Sequence, residues 1–136
     1  MGRFTMILMD TCAIIWDALE RDKLSKNALN AINKADESNA LIISDISIWE
    51  ISMLIKKKRI EVDTTAANFI NLFLQFRSVS VQSISPEIAE LSVNFNSEIT
   101  NDPADRIIAA TSIILNTQLV TADQNLIDSQ MINTVW

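Results

Sequence analysis

Short apolar runs with strand character alternate along this chain with longer segments whose apolar residues recur at helical spacing. The strand-like runs lie at 5–9, 40–44, 79–84 and 118–123, with a possible fifth at 132–136. Helical patterns occupy 11–20, 25–37, 46–58 and 65–77, and two more begin at Pro86 and Pro103. This alternation predicts an α/β fold, in which a central parallel sheet of about four to five strands carries helices on both faces.

The 136 residues are enough for one domain with a full core, and we expect a single domain over residues 1–136. No apolar run approaches the roughly 18 residues of a membrane span. The opening stretch "MGRFTMILMD" is too short for a signal peptide. One cysteine, Cys12, allows no internal disulfide, so we expect a cytoplasmic protein in which Cys12 is a small buried side chain.

The residue types that are missing exclude several kinds of chemistry. The chain has no histidine, which rules out Ser–His–Asp and Cys–His catalysis and histidine-bound zinc. Its one glycine, Gly2, cannot build the glycine-rich loops that bind nucleotide phosphates. A net charge of −6 argues against nonspecific nucleic-acid binding, and we interpret the basic run Lys56–Arg59 as a solvated helix end. Any polar chemistry must therefore rest on carboxylates.

Two aspartates follow predicted strands directly. Asp10 comes after "MILM" and Asp123 after "LVTA". Because parallel strands end at the same edge of a sheet, where open α/β sheets place their sites, both should lie on the functional edge. Each aspartate could equally cap the helix that follows it.

Glu50 falls in the apolar stripe of its predicted helix. Its neighbours three and four residues away are Ile46, Ser47, Met53 and Leu54. A largely buried, charged glutamate in that setting needs a cation or a proton, because burial without one costs several kcal/mol. Its own helix offers no cation within a turn, so an arginine from elsewhere, such as Arg106, is one possible partner and a metal ion is the other.

The stretch "NDPADRIIAATSIILN" at 101–116 carries two aspartates three residues apart before a strongly apolar helix. Asp102 is placed as the N-cap, Pro103 as the first helical residue, and Asp105 in the first turn, where the helix dipole favours an anion. Asp105 can also reach the same edge as Asp10, Glu50 and Asp123. Four carboxylates this close cannot all stay ionised unless a cation intervenes, and an all-oxygen set favours Mg²⁺ or Mn²⁺. Such a site suits the hydrolysis of a phosphodiester by activated water.

Four motifs, in this order and spacing, resemble the PIN-domain ribonucleases, and most closely the VapC toxins of prokaryotic type II toxin–antitoxin systems. They are "MILMDTCAIIW", "SDISIWEISML", "DPADRIIAATSI" and "LVTADQNL", and the resemblance extends over essentially the whole chain. It implies a PIN-like three-layer α/β/α fold and a metal-dependent endoribonuclease that acts as a toxin. It also implies an RNA substrate, a cognate antitoxin protein and a homodimer, with no membrane partner.

Carried over residue by residue, the metal-binding and catalytic acids of the family fall on Asp10, Glu50, Asp105 and Asp123. The hydroxyls of Thr11, Ser47 and Thr121 would orient these carboxylates or a water. Relatives often carry a histidine before the DP motif, where this chain has "EITNDP", so the resemblance does not extend to an accessory substrate contact there.

Two other functions remain open at this stage. A phosphoaspartyl-type phosphatase would be expected to have a second aspartate two residues after Asp10, and this chain has Cys12 at that position. A catalytically inactive PIN fold, kept as a binding module, would not need all four acids.

Overall fold

The computed structural model describes residues 6–96 and 99–136. The strands are β1 (Ile7–Met9), β2 (Leu41–Ser44), β3 (Val79–Gln82), β4 (Gln118–Val120) and β5 (Thr134–Val135). The helices are α1 (Thr11–Leu19), α2 (Lys26–Glu37), α3 (Asp45–Lys56), α4 (Ala66–Phe76), α5 (Pro86–Asn94), α6 (Pro103–Leu115) and α7 (Gln124–Asp128), with a 3₁₀ turn at Arg21–Lys23. The predicted start of the first strand at Thr5 lies outside the described residues.

The five strands form one sheet in the order β3-β2-β1-β4-β5, and every neighbouring pair is parallel. This confirms the predicted parallel sheet, although β3, β4 and β5 are each shorter than their apolar runs. Met9, at the end of β1, pairs with Ile43 of β2 and Val120 of β4. The next residue of each strand therefore reaches the carboxyl edge at the same level, which places Asp10 beside Ser44 and Thr121.

Helices cover both faces of the sheet, as the alternation of strands and helices predicts. The side chains of β1 alternate between the two faces, with Ile7 and Met9 in a core shared with α1, α2 and α4. Leu8 belongs to the opposite core, which includes residues of α5, α6 and α7. Helix α3 contributes to both cores and packs against α1, α4 and α6. The result is the expected three-layer α/β/α architecture.

A buried ion pair that the sequence pattern does not reveal ties three segments together. The Arg77 guanidinium donates to both carboxylate oxygens of Asp17, at 2.9 and 2.7 Å, and to Asp36 at 3.0 Å. The Asn33 side chain accepts a further bond from Arg77. Arg77 and Asp17 are both buried, so this network fixes α1 and α2 against the segment that leads into β3.

Of two predictions about exposure, the one for Cys12 is wrong and the one for the basic run Lys56–Arg59 is confirmed. Cys12 is exposed rather than buried, because the second residue of α1 faces the open carboxyl edge of the sheet. The basic run Lys56–Arg59 is exposed at the C-terminal end of α3, as predicted. Within residues 6–96 and 99–136, no helix has the length and apolarity to cross a membrane.

Candidate active site

The structure brings Asp10, Glu50, Asp105 and Asp123 to one cavity of about 400 Å³ at the carboxyl edge of the sheet. Its wall also includes Asp102. The acids come from four separate parts of the fold, namely the end of β1, the middle of α3, the start of α6 and the segment after β4. We call this the acid cavity.

Asp10 and Asp123 each cap a helix and also line the acid cavity, so the two sequence-based interpretations of these residues hold together. Asp10 Oδ1 accepts the backbone N–H of Ala13 at 2.8 Å, at the start of α1. Asp123 Oδ1 accepts the N–H of Asn125 at 2.9 Å, at the start of α7. One oxygen of each carboxylate therefore anchors it to the backbone, while each side chain borders the cavity.

Glu50 is held by hydroxyl groups. Thr11 donates a hydrogen bond to Glu50 Oε1, and Thr11 Oγ1 lies 3.0 Å from Ser47 Oγ. Glu50 is only partly buried, less than its apolar neighbours suggested, because that face of α3 opens toward the cavity. Thr11 therefore contacts a carboxylate directly, whereas Ser47 contacts Thr11.

Arg106 does not pair with Glu50, so that alternative is wrong. Its guanidinium donates to three backbone carbonyl oxygens, those of Ser92, Phe95 and Thr100. These bonds attach the start of α6 to the end of α5. Among the described residues, no lysine or arginine forms a salt bridge with any of the four predicted acids.

The opening of α6 follows the predicted capping pattern. Asp102 Oδ1 accepts the N–H of Asp105 at 3.1 Å, and Pro103 is the first helical residue. Asp105 lies in the first turn and is partly buried, whereas Asp102 is exposed. The structure adds that Asp102 also borders the acid cavity, which its capping role did not suggest.

The electrostatics of the cavity favour protons or cations. Burial raises the pKa of Asp10 from 3.8 to about 6, with further increases from Asp123 and Glu50, while hydrogen bonds from Thr121 and Ala13 oppose the shift. Burial also raises the pKa of Asp105 to about 7, and the nearby charge of Asp102 adds to the effect. The pKa of Glu50 is raised, chiefly by desolvation, although Thr11 opposes this.

Asp17 is a buried acid that, unlike the acids of the cavity, has a basic partner. Asp17 is buried as fully as any acid of the cavity, but it receives two hydrogen bonds from Arg77. A buried carboxylate with a bidentate arginine is compensated within the fold. Asp10 and Asp105 have no such partner in the described part of the chain, which distinguishes the acid cavity from a structural ion pair.

A divalent cation fits the donor chemistry of the acid cavity, because its charged wall consists of carboxylates with hydroxyls beside them. The carboxylates are not drawn together, however. Over residues 6–96 and 99–136, no three acidic or thiol side chains stand close enough to enclose an ion. Like charges repel, so a cation would have to draw these side chains inward.

The structure also identifies cavity residues that the sequence reasoning missed as site residues, namely Trp16 and Leu54. Trp16 lies four residues after Cys12 on α1, and Leu54 lies four residues after Glu50 on α3. Helical spacing from residues at the carboxyl edge was therefore the signal that could have found both. Cys12 borders the cavity too. Although part of this residue is exposed, desolvation of the thiol by the cavity wall, together with the surrounding carboxylates, raises its pKa to about 11.

Comparison with known proteins agrees with this geometry. The PIN domain family matches residues 7–129 of the chain. Ribonuclease VapC22 from Mycobacterium tuberculosis (strain ATCC 25618 / H37Rv) is 33% identical over 122 residues, which cover 90% of this chain and 90% of that protein.

Solved structures with the same fold include VapBC2 from Rickettsia felis bound to a DNA fragment from its promoter. It matches with a TM-score of 0.72 and 15% identity, over 95% of this chain and 96% of that one. DNA-bound VapBC from Salmonella typhimurium matches with a TM-score of 0.71 and 14% identity, over 96% and 97% of the two chains. Sequence and fold together show that the chain is a VapC-like member of the PIN-domain family.

Proposed function

We propose that the chain is a metal-dependent endoribonuclease that hydrolyses phosphodiester bonds of RNA at the acid cavity. One observation carries the proposal: acids from four parts of the fold line one cavity, with raised pKa values for Asp10, Glu50 and Asp105 and no basic partner among the described residues. Similarity to a protein named as a ribonuclease supports the same activity.

The residues that would hold the cation are Asp10, Glu50, Asp105 and Asp123. Their oxygens suit Mg²⁺ or Mn²⁺ rather than a softer metal. When bound, such a cation supplies Lewis acidity, which activates water as the attacking group and offsets the charge that develops on the phosphate.

The protein's own contribution is to position these carboxylates and to hold protons until a cation arrives. The N–H of Ala13 orients Asp10, and Thr11, itself hydrogen-bonded to Ser47, orients Glu50. The Thr121 hydroxyl accepts the N–H of Asp123 at 3.1 Å and so fixes the last acid. With a pKa of about 7, the Asp105 carboxyl holds a proton over much of the neutral range, and binding of a cation should release it.

We further propose that the chain acts in the cytoplasm as the toxin of a toxin–antitoxin pair and forms a homodimer. The structural neighbours support an antitoxin partner, because two of them are VapBC assemblies and a third is described as a toxin–antitoxin complex from Klebsiella pneumoniae. An antitoxin that covers the acid cavity would gain by inserting an arginine or lysine, since these acids have no basic partner in the described chain.

RNA cleavage by the purified chain tests the proposal. Cleavage should require Mg²⁺ or Mn²⁺, should stop in excess EDTA, and should leave 5′-phosphate ends. Asp10→Asn should reduce it by orders of magnitude, whereas Lys34→Gln on the last turn of α2, which leads into the opposite edge of the sheet, should not. Cleavage that continues undiminished in EDTA would overturn the proposal.

A further inference from the structure

A second cavity, of about 510 Å³, adjoins the acid cavity, and Trp16 lines both of them. We call it the flanking cavity. Its charged wall comprises Glu20, Lys23, Arg59 and Glu61. Lys23 is occupied by an ion pair with Glu20 at 2.7 Å, but Arg59 forms no ion pair with the described residues. The wall of the flanking cavity therefore includes both an arginine without an ionic partner and an aromatic side chain.

Trp16 packs against a second tryptophan, Trp136. Its ring centroid lies 5.7 Å from that of Trp136, and the two ring planes are tilted by 54°. Trp16 remains only partly buried and borders open space on the side of both cavities. A partly exposed indole that borders both cavities has the properties of a platform on which a nucleobase can stack.

Helix α3 connects the acid cavity to a basic turn, which we define as Lys56–Arg59. Lys57 lies seven residues after Glu50, about 10 Å further along the helix axis. Leu54 borders the acid cavity, and its carbonyl accepts the N–H of Arg59 at 2.9 Å. All four basic side chains are exposed, and none forms an ion pair in the described part of the chain.

Lys58 of the basic turn has a left-handed backbone conformation, which favours glycine. Lys58 has φ 57°, and its N–H bonds to the carbonyl of Ile55 at 3.0 Å. Together with the bond from Arg59 to Leu54, this is the helix ending that usually carries glycine at the left-handed position. The other left-handed residues described are Asn39 and Asn116, and asparagine adopts this conformation more readily than lysine. A strained residue that retains a positive charge points to a function for that charge.

We propose that an RNA strand runs from the acid cavity over Trp16 to the basic turn, with a base stacked on Trp16 and a backbone phosphate bound by Arg59. The proposal rests on the proposed ribonuclease function and names how that same site holds its substrate. The net charge of −6 repels RNA as a whole, so a local group of four cations next to the acids is what would keep the strand in place.

Binding measurements test the path. They use an RNA of about 16 nucleotides and an Asp105→Asn background, so that the RNA stays intact. Trp16→Leu should weaken binding about tenfold, and Trp16→Phe should recover most of the loss. Lys57→Gln with Arg59→Gln should weaken binding and flatten the dependence of log K on log salt by about 0.7 for each lost phosphate contact. The controls Trp49→Leu and Lys34→Gln should leave affinity unchanged, because Trp49 borders neither cavity and Lys34 lies in the last turn of α2, which leads into the opposite edge of the sheet.

Lys58→Gly separates binding from folding. It should raise the melting temperature, because glycine relieves the left-handed backbone, and it should weaken RNA binding, because a cation is lost. A variant that gains stability while losing affinity cannot be explained by damage to the fold.

Cleavage supplies the last comparison. In chains with the acids intact, the basic-turn variants should lower the preference for the long RNA over a dinucleotide, measured as the ratio of the two kcat/KM values, about tenfold. If the wild-type chain cuts no RNA, the proposed function itself fails. If it cuts RNA and these variants keep wild-type affinity and length preference, the RNA path is wrong. Loss of affinity for an acidic peptide, with RNA affinity unchanged, would instead identify a protein-docking surface and overturn the proposal.

Discussion

Replacing Asp105 with asparagine tests whether its carboxylate is needed for cleavage and at the same time lowers the stability of the folded chain. Burial and the neighbouring acids raise the pKa of Asp105 from 3.8 to about 7. Ionising it in the folded chain at pH 8, without divalent cations, therefore costs on the order of 4 kcal/mol relative to the unfolded chain. Because the side chain is partly exposed and water screens part of this cost, we expect about 2 kcal/mol.

In EDTA at pH 8, Asp105→Asn should thus melt about 6 °C above the wild type, at about 3 °C per kcal/mol for a domain of this size. The sign follows from proton binding. Between pH 3.8 and about 7 the folded chain binds more protons at this carboxyl than the unfolded chain, so stability falls as pH rises through that window. At pH 4 the carboxyl is protonated in the folded wild type, and the difference in melting temperature should nearly vanish.

Asp102→Asn is the matched control, since it lies on the same helix start. Asparagine caps as well as aspartate, so the bond from the N–H of Asp105 should survive. Because the Asp102 charge contributes less than burial to the raised pKa of Asp105, the melting temperature at pH 8 should rise by less than in Asp105→Asn. Cleavage in Mg²⁺ should fall by orders of magnitude for Asp105→Asn and persist for Asp102→Asn. An Asp105 variant that is no more stable at pH 8 and still cleaves RNA would show that this carboxylate neither destabilises the fold nor serves the site.

Three further predictions concern metal, packing and biology. Saturating Mg²⁺ should raise the melting temperature more at pH 8 than at pH 5, where protons occupy Asp10 and Asp105; no shift at either pH would mean that the acids do not share a cation. Arg77→Met should cost about 3 kcal/mol in urea unfolding, because buried Asp17 keeps only the half-exposed Arg21, at 3.3 Å, as an ionic partner. Adding Asp17→Leu should recover much of the loss, and a loss below about 1 kcal/mol would contradict the ion-pair account. Expression of the chain alone should slow growth of a susceptible host and co-expression of a neighbouring antitoxin gene should relieve it, whereas equal growth would argue against a toxin.

The sheet and the edge on which the acids meet follow from local patterns in the sequence. Asp10 comes directly after β1 and Asp123 lies three residues after the end of β4, and parallel strands end at one edge, so their placement at one cavity needed no knowledge of packing. The cap of α6 was equally local, because Asp102, Pro103 and Asp105 specify it within one turn.

Features that depend on how helices pack were not predictable in this way. Arg77 and Asp17 are 60 residues apart, and neither lies in a motif that marks the pair. Arg106 was a plausible partner for Glu50 by charge, yet its guanidinium is occupied by backbone carbonyls that become available only when α5 packs beside α6. The exposure of Cys12 likewise depends on where the structure leaves an open cavity, which helical periodicity does not encode.

A titration with Mn²⁺, followed by calorimetry and by RNA cleavage in the same buffer, tests the link between the acid cavity and catalysis most directly. In the wild type, binding should release protons near pH 6.5, because without the cation Asp105 is mostly protonated there and Asp10 holds a proton in a minority of molecules. The Mn²⁺ concentration for half-maximal cleavage should equal the Kd for binding, and Asp105→Asn should weaken both together. Tight Mn²⁺ binding that Asp105→Asn leaves intact, or cleavage that saturates independently of binding, would contradict a cation-dependent ribonuclease site at these acids.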